Sequence, residues 1–120
     1  MLKFVILILT LATLAAHAAG PLASKRFLFR YDDGQHYQVS FTEETVRWEC
    51  VKGEELGRSE TDPYQAKVLA GGVHFVQWVE ADGTFVALAV NLNTKTVVSA
   101  GVSGPYRWFR GGRLVALPAP

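Results

Sequence analysis

From residue 26 onward, apolar and polar residues alternate with a period of two, which is the pattern of half-buried β-strands. Two clear turn signals separate the first three of these segments. Asp32-Asp33-Gly34 is one, since glycine accepts the positive φ of a tight hairpin, and Thr42-Glu43-Glu44 is the other. The apolar positions that share a face are Phe27, Phe29 and Tyr31, then Tyr37, Val39 and Phe41, then Val46, Trp48 and Cys50. The pattern predicts three strands in hairpin order.

The middle of the chain begins with a polar, glycine-containing stretch, Lys52 to Asp62, which predicts a loop with one short strand around residues 57–60. Pro63 then opens the next strand, and Asp82-Gly83 is a strong hairpin signal further on. The further predicted strands are Tyr64–Val68, Val73–Glu80, Thr84–Leu92 and Thr96–Val102. The tail after Ser103 is less regular, because Gly104-Pro105 and Gly111-Gly112 interrupt it, and it predicts only a short edge strand at Leu114–Leu117.

Seven or eight short antiparallel strands in about 100 residues are typical of a β-sandwich or an up-and-down β-barrel. No segment after residue 19 has a helical period. An eight-stranded barrel has room for packed side chains or for one small ligand. The strand pattern alone does not distinguish these outcomes.

The first 18 residues have the features of a signal peptide. Lys3 supplies a positive start, Phe4 to Ala16 is an apolar run of thirteen residues, and Ala16-His17-Ala18 fits a small-x-small cleavage site. The alternative is an uncleaved membrane anchor, but the run is shorter than the roughly 18 residues that cross a bilayer. We therefore expect a domain at residues 19–120 that is exported, periplasmic or secreted, with no stable membrane insertion after cleavage.

Composition narrows the choice of partner. The 120 residues include 12 Lys and Arg and 11 Asp and Glu, and removal of Lys3 with the signal peptide leaves a net charge of zero. Such a chain lacks the basic footprint of a nucleic-acid-binding protein. Cys50 alternates with apolar residues, so we expect a buried side chain rather than a reactive thiol. His36 and His74 have no companions at metal-ligand spacing, so no metal site is predicted. The oligomeric state is left open.

Three stretches carry a family resemblance: Phe29 to Gly34, Glu55 to Arg58, and Phe75 to Thr84 with its W-x-E-x-x-G-T sequence. In this order they resemble the lipocalin-like barrel shared by MoaF-like proteins and bacterial phenolic acid decarboxylases. The resemblance covers roughly residues 26–102. It implies an all-β, antiparallel, up-and-down, lipocalin-like (calycin-type) β-barrel of about eight strands. It also implies that no organic cofactor or metal is needed.

The comparison with the decarboxylases implies catalytic residues. Tyr31 matches a tyrosine on the first strand, Arg58 matches an arginine after a glycine, and Glu80 matches the glutamate of the W-x-E strand. Phe29 stands where those enzymes have a further tyrosine, and it has no hydroxyl with which to bind a carboxylate. The export signal is a second departure from these enzymes, which are typically cytoplasmic.

Counting by two places His74, Val76, Trp78 and Glu80 on one strand face. If this face is inward, Glu80 needs a partner, and Arg58 is the candidate because a guanidinium can bind a carboxylate through two hydrogen bonds. Glu80 would then act as a general acid or base. The alternative is that Glu80 ends its strand and faces water. The predicted ligand-binding residues are Phe29, Tyr31, Trp48, Arg58, His74, Trp78 and Glu80.

These observations favour an exported barrel that binds a small aromatic or amphipathic molecule in its cavity. The alternative is a cofactor-independent carboxy-lyase, with Glu80 as proton donor and with Arg58 and Tyr31 orienting the acid. A third hypothesis is a structural barrel whose surface binds another protein. The basic and aromatic residues of segment 106–113 are most simply a strand or loop that closes the barrel, and no nucleic-acid partner is predicted.

Overall fold

The computed structural model describes residues 20–119, so the predicted signal peptide lies outside the described residues. These residues form eight strands: β1 Arg26–Tyr31, β2 His36–Phe41, β3 Thr45–Lys52, β4 Ser59–Ala70, β5 Val73–Val79, β6 Phe85–Asn91, β7 Thr96–Ser103 and β8 Tyr106–Leu117. Within residues 20–119 there is no helix that could cross a membrane.

The strands form one closed antiparallel barrel in sequence order, so the predicted up-and-down β-barrel is confirmed. β1 and β8 close it, with register from Arg26↔Leu117 to Tyr31↔Gly112. We call one end of the barrel the mouth; it is formed by the connections at residues 32–35, 53–58, 80–84 and 104–105. The opposite end, which we call the closed end, is formed by residues 20–25 and the turns at 42–44, 71–72 and 92–95.

Side chains that alternate along each strand fill the closed half of the barrel. Leu22 precedes the first strand, is only 1% exposed and belongs to the same core as Phe27 and Phe41. Its turn is tied to β2 by hydrogen bonds from Ser24 N to Phe41 O (2.8 Å) and from Phe41 N to Lys25 O (2.9 Å). Cys50 is buried, as its alternation predicts. The N-terminal turn therefore covers this end of the barrel.

The loop predicted over Lys52–Asp62 is wrong in its second half, because the short strand predicted around residues 57–60 is the beginning of a long one, β4, which starts at Ser59 and ends at Ala70. Residues 59–63 pair with β3, and Tyr64 onward pairs with β5. Pro63 lies inside β4 and is not its first residue. It has no N–H to donate, and it stands where the pairing of β4 changes from β3 to β5. Most β4 side chains are exposed, so the strand is polar and lacks the apolar alternation that predicts a strand.

The irregular tail is also a wrong prediction, because β8 runs without a break through Gly111 and Gly112. A Cβ atom on Gly112 would collide with the carbonyl oxygen of Arg30 on β1. The absence of a side chain lets β8 approach the backbone of β1 closely where the barrel closes. Here the glycine marks a close approach of two strands, not the end of one.

Candidate functional site

The mouth half of the barrel contains a cavity of about 620 Å³. Its deeper walls are mostly aromatic and aliphatic, and its rim carries charged residues from the mouth connections. The deeper lining residues are Phe29, Tyr31, Tyr37, Val39, Trp48, Trp78, Val86, Leu88 and Ser99. Four of these rings follow one another edge to face around the wall, with successive centroids 6.0–6.2 Å apart, from Phe29 through Tyr31 and Tyr37 to Trp48.

The structure brings six of the seven predicted ligand-binding residues to this cavity. The exception is His74, which is buried on the inner face of β5 but does not line the cavity. Burial, together with the charge of Lys25 from the N-terminal turn, lowers the pKa of His74. His74 therefore belongs to the packed, closed half of the barrel.

Glu80 follows β5 directly and lines the cavity. It therefore lies on the same inner face as Trp78, which was the first of the two alternatives that the sequence left open. Trp78 Nε1 donates a hydrogen bond to Glu80 Oε2 at 3.2 Å. Burial raises the pKa of Glu80 to about 7; the Trp78 hydrogen bond opposes this rise, and the nearby charges of Glu60, Asp62 and Asp82 add to it. At neutral pH this carboxyl group can therefore both give and take a proton.

The hypothesis that Arg58 pairs with Glu80 is not supported by the contacts. Arg58 Nη1 instead donates to Glu55 Oε2, three residues earlier in the same loop, and the Arg58 side chain is 56% exposed. Glu55 also accepts a hydrogen bond from Tyr37 Oη. Arg58 is therefore paired with Glu55 in its own loop and not with Glu80. Its guanidinium also lies 5.8 Å from the centre of the Trp48 ring.

Arg110 on β8 is a site residue that sequence reasoning missed. Its guanidinium lies 4.1 Å from the ring centre of Tyr31 and 5.3 Å from that of Tyr37, and Nη1 donates to Asp33 Oδ2 at 2.9 Å. Burial lowers the pKa of Arg110, but the hydrogen bonds with Asp33 and Tyr37 outweigh this and raise it. Trp108 and Arg110 lie two residues apart, which is the spacing of side chains on one face of a strand. The break predicted at Gly111-Gly112 concealed this strand.

Tyr31 and Phe29 differ in what they offer a ligand. Burial raises the pKa of Tyr31 to about 12, although Arg110 and Ser99 lower it, so its hydroxyl stays protonated at neutral pH. Phe29 is 1% exposed and supplies only its ring. Among residues 20–119, no group of three or more His, Cys, Asp or Glu side chains is arranged to hold a metal ion.

A closed eight-stranded barrel with an aromatic cavity that opens at one end defines a class of small-molecule-binding barrels. Within that class the chain belongs to the MoaF-like family, whose profile matches residues 23–104. No curated protein matches the chain. Among solved structures, it is similar to a protein from Burkholderia vietnamiensis that is provisionally called a beta-lactamase. That similarity has a TM-score of 0.78 and 22% identity, and it covers 82% of this chain and 98% of the other. At this identity the likeness concerns the fold alone.

Proposed function

We propose that this protein is exported and binds one small aromatic or amphipathic molecule in the mouth half of its barrel. The observation that carries the proposal is the cavity of about 620 Å³ with its aromatic walls. Ligand sites usually have volumes of about 300–1,000 Å³, apolar walls and a few polar groups that fix orientation. Here Tyr31, Ser99 and Glu80 would supply those polar groups.

The binding test uses the neutral fluorescent probe N-phenyl-1-naphthylamine with the protein expressed from the full sequence. We expect saturable binding of one probe per chain. Leu88 is buried and lines the cavity, so Leu88→Trp should fill it and weaken binding. Val98→Trp, on the outward-facing side of β7, is the matched control. Equal binding by both variants, with circular dichroism showing intact barrels, would refute a site inside the barrel.

Export is tested on the same preparation. Mass spectrometry of protein recovered from the periplasm or medium should show a chain that lacks residues 1–18. Retention of those residues in the membrane fraction would contradict the proposed export and favour an anchor.

A carboxy-lyase is the second candidate, and the observation that favours it is the Glu80 carboxyl group, with a pKa of about 7, inside an aromatic cavity. A hydroxycinnamic acid would lose CO₂, and the side-chain carbon that carried it would take a proton from Glu80. Tyr31 and Arg58 would orient the acid. Chromatography of the acids and their vinyl phenols tests this, and turnover must disappear in Glu80→Gln. If only Phe29→Tyr shows turnover, the chain has lost an ancestral activity.

A further inference from the structure

The acidic residues of this chain are concentrated at one end of the barrel. Of its eleven Asp and Glu residues, five line the cavity, namely Asp33, Glu54, Glu55, Glu80 and Asp82. Two more, Glu60 and Asp62, lie beside Glu80. Only three arginines line the cavity, and two are already paired, Arg58 with Glu55 and Arg110 with Asp33. The mouth therefore carries an excess of negative charge, although the chain is nearly neutral overall.

The unpaired carboxyl groups converge between β4 and β5. The antiparallel register pairs Tyr64 with Trp78, and two residues further toward the mouth it brings Asp62 to the level of Glu80. Glu60 lies on β4 two residues closer to the mouth than Asp62. Its Oε2 accepts a hydrogen bond from Ala81 N at 2.8 Å. Among the described residues, no ion pair neutralises Asp62 or Glu80.

Asp62 is the more unusual of the two. Asp62 is 5% exposed on the inner face of β4, and its Oδ2 has no hydrogen-bond partner within residues 20–119. Burial and the neighbouring Glu60 and Asp82 raise the pKa of Asp62, and the Trp48 side chain lowers it. Like charges directly opposite each other on neighbouring strands are destabilising, and a buried carboxylate without a partner is costly. A bound cation between the two carboxyl groups would relieve both effects.

The apolar surroundings favour an organic cation. Trp48 and Trp78 line the same side of the cavity, on the strands that flank β4. A positive charge is attracted to the face of a tryptophan ring within about 6 Å of its centre. The Arg58 guanidinium already lies 5.8 Å from the centre of the Trp48 ring, so Trp48 is assigned to the apolar body of the ligand and not to its charge.

We infer that the cavity selects a small organic ammonium ion, whose charged group lies against Glu80 and Asp62 and whose apolar body lies along Trp48 and Trp78. The inference rests on the proposed binding function and names the ligand class for that site. The negative mouth would also attract such a cation from solution and speed its entry.

The test compares three ligands of similar size, 2-phenylethylamine, 2-phenylethanol and phenylacetate, by isothermal titration calorimetry on the protein expressed from the full sequence. At pH 8 we expect the amine to bind at least about tenfold more tightly than the alcohol, and phenylacetate to bind most weakly. Glu80→Gln and Asp62→Asn should each reduce this preference severalfold. Glu49→Gln, which removes a carboxylate paired with Arg47 on the outer face of β3, should not.

The pH dependence is a second readout. Glu80 faces Glu60, Asp62 and Asp82, and Arg58 acts on Asp82 from the adjoining loop. Burial raises the pKa of Glu80 to about 7 and that of Asp62 to about 6. The preference for the amine should therefore fall between pH 8 and pH 5.5, where the amine keeps its charge and the two carboxyl groups lose theirs.

The outcomes separate the two proposals. Binding of the alcohol or phenylacetate as tightly as the amine overturns the ammonium site but leaves the binding function in place. The same holds if N-phenyl-1-naphthylamine binds and none of the three ligands does. A preference for the amine that survives both substitutions shows that the charge is held elsewhere. Failure of all four molecules to bind overturns both proposals.

Discussion

Replacing Glu80 with glutamine should stabilise the barrel at alkaline pH and leave it unchanged at acidic pH. Burial and the neighbouring carboxylates raise the pKa of Glu80 from an ordinary 4.5 to about 7 in the folded chain. The folded state therefore holds this proton more tightly than the unfolded state does. For a carboxyl group with a raised pKa, the free energy of unfolding falls as pH rises from about 4.5 to about 7.

The magnitude follows from the same shift. One pKa unit corresponds to 1.36 kcal/mol, so the full difference would cost the folded state about 3 kcal/mol above pH 7. The Glu80 side chain is partly exposed, and solvent screening reduces this to about 1–2 kcal/mol. Glutamine has nearly the same shape, carries no charge and keeps an oxygen that can accept the hydrogen bond from Trp78 Nε1.

The assay is urea unfolding followed by tryptophan fluorescence at pH 4, 5, 6, 7 and 8. The difference between Glu80→Gln and the wild-type protein should grow from near zero at pH 4, below the ordinary pKa of 4.5, to about 1–2 kcal/mol in favour of the variant at pH 8. His74, whose pKa burial lowers, changes stability in the opposite direction with pH, but it is common to both proteins. Glu49→Gln should show no such growth. A constant difference, or a variant less stable at pH 8, would refute the reasoning.

Three further substitutions test contacts that stabilise the barrel around the cavity. Leu22→Ala should lower stability by about 3 kcal/mol in urea unfolding, because it empties a fully buried position at the closed end. Gly112→Ala should prevent folding, read as loss of soluble protein, because its Cβ would collide with the Arg30 carbonyl oxygen. Arg110→Met should lower the melting temperature, because it removes the ion pair with Asp33 and a cation from over two tyrosine rings, at a cost of about 1 kcal/mol.

The fold was predictable where inward residues are apolar and short polar turns separate the strands. Strands β1, β2 and β3 satisfy both conditions, and period two also placed Val76, Trp78 and Glu80 on one inner face. Prediction failed where the inner face is not apolar. The inner face of β4 carries Asp62, and the polar sequence of its first half predicts a loop with only one short strand around residues 57–60.

The site was only half predictable for a related reason. Pairing depends on which side chains meet across the barrel, and that follows from register rather than from local pattern. Arg58 was expected to reach Glu80, but Glu55 is closer along the chain and takes the guanidinium. Arg110 meets Asp33, 77 residues away, and only closure of β8 against β1 brings them together. The excess of acid at the mouth is likewise invisible in a chain whose total charge is nearly zero.

The pairing of β1 with β8 has a consequence for how the chain folds. The first strand acquires its second neighbour only when the last one is in place, so one of the eight strand pairings joins the two ends of the described chain and its formation should be the slow step of folding. Until then β1 and β7 each present an open edge with unpaired backbone groups, which can pair with another molecule. A chain cut before Tyr106 would keep those edges permanently. We expect such a fragment to aggregate, even though the cut removes few of the residues that fill the core.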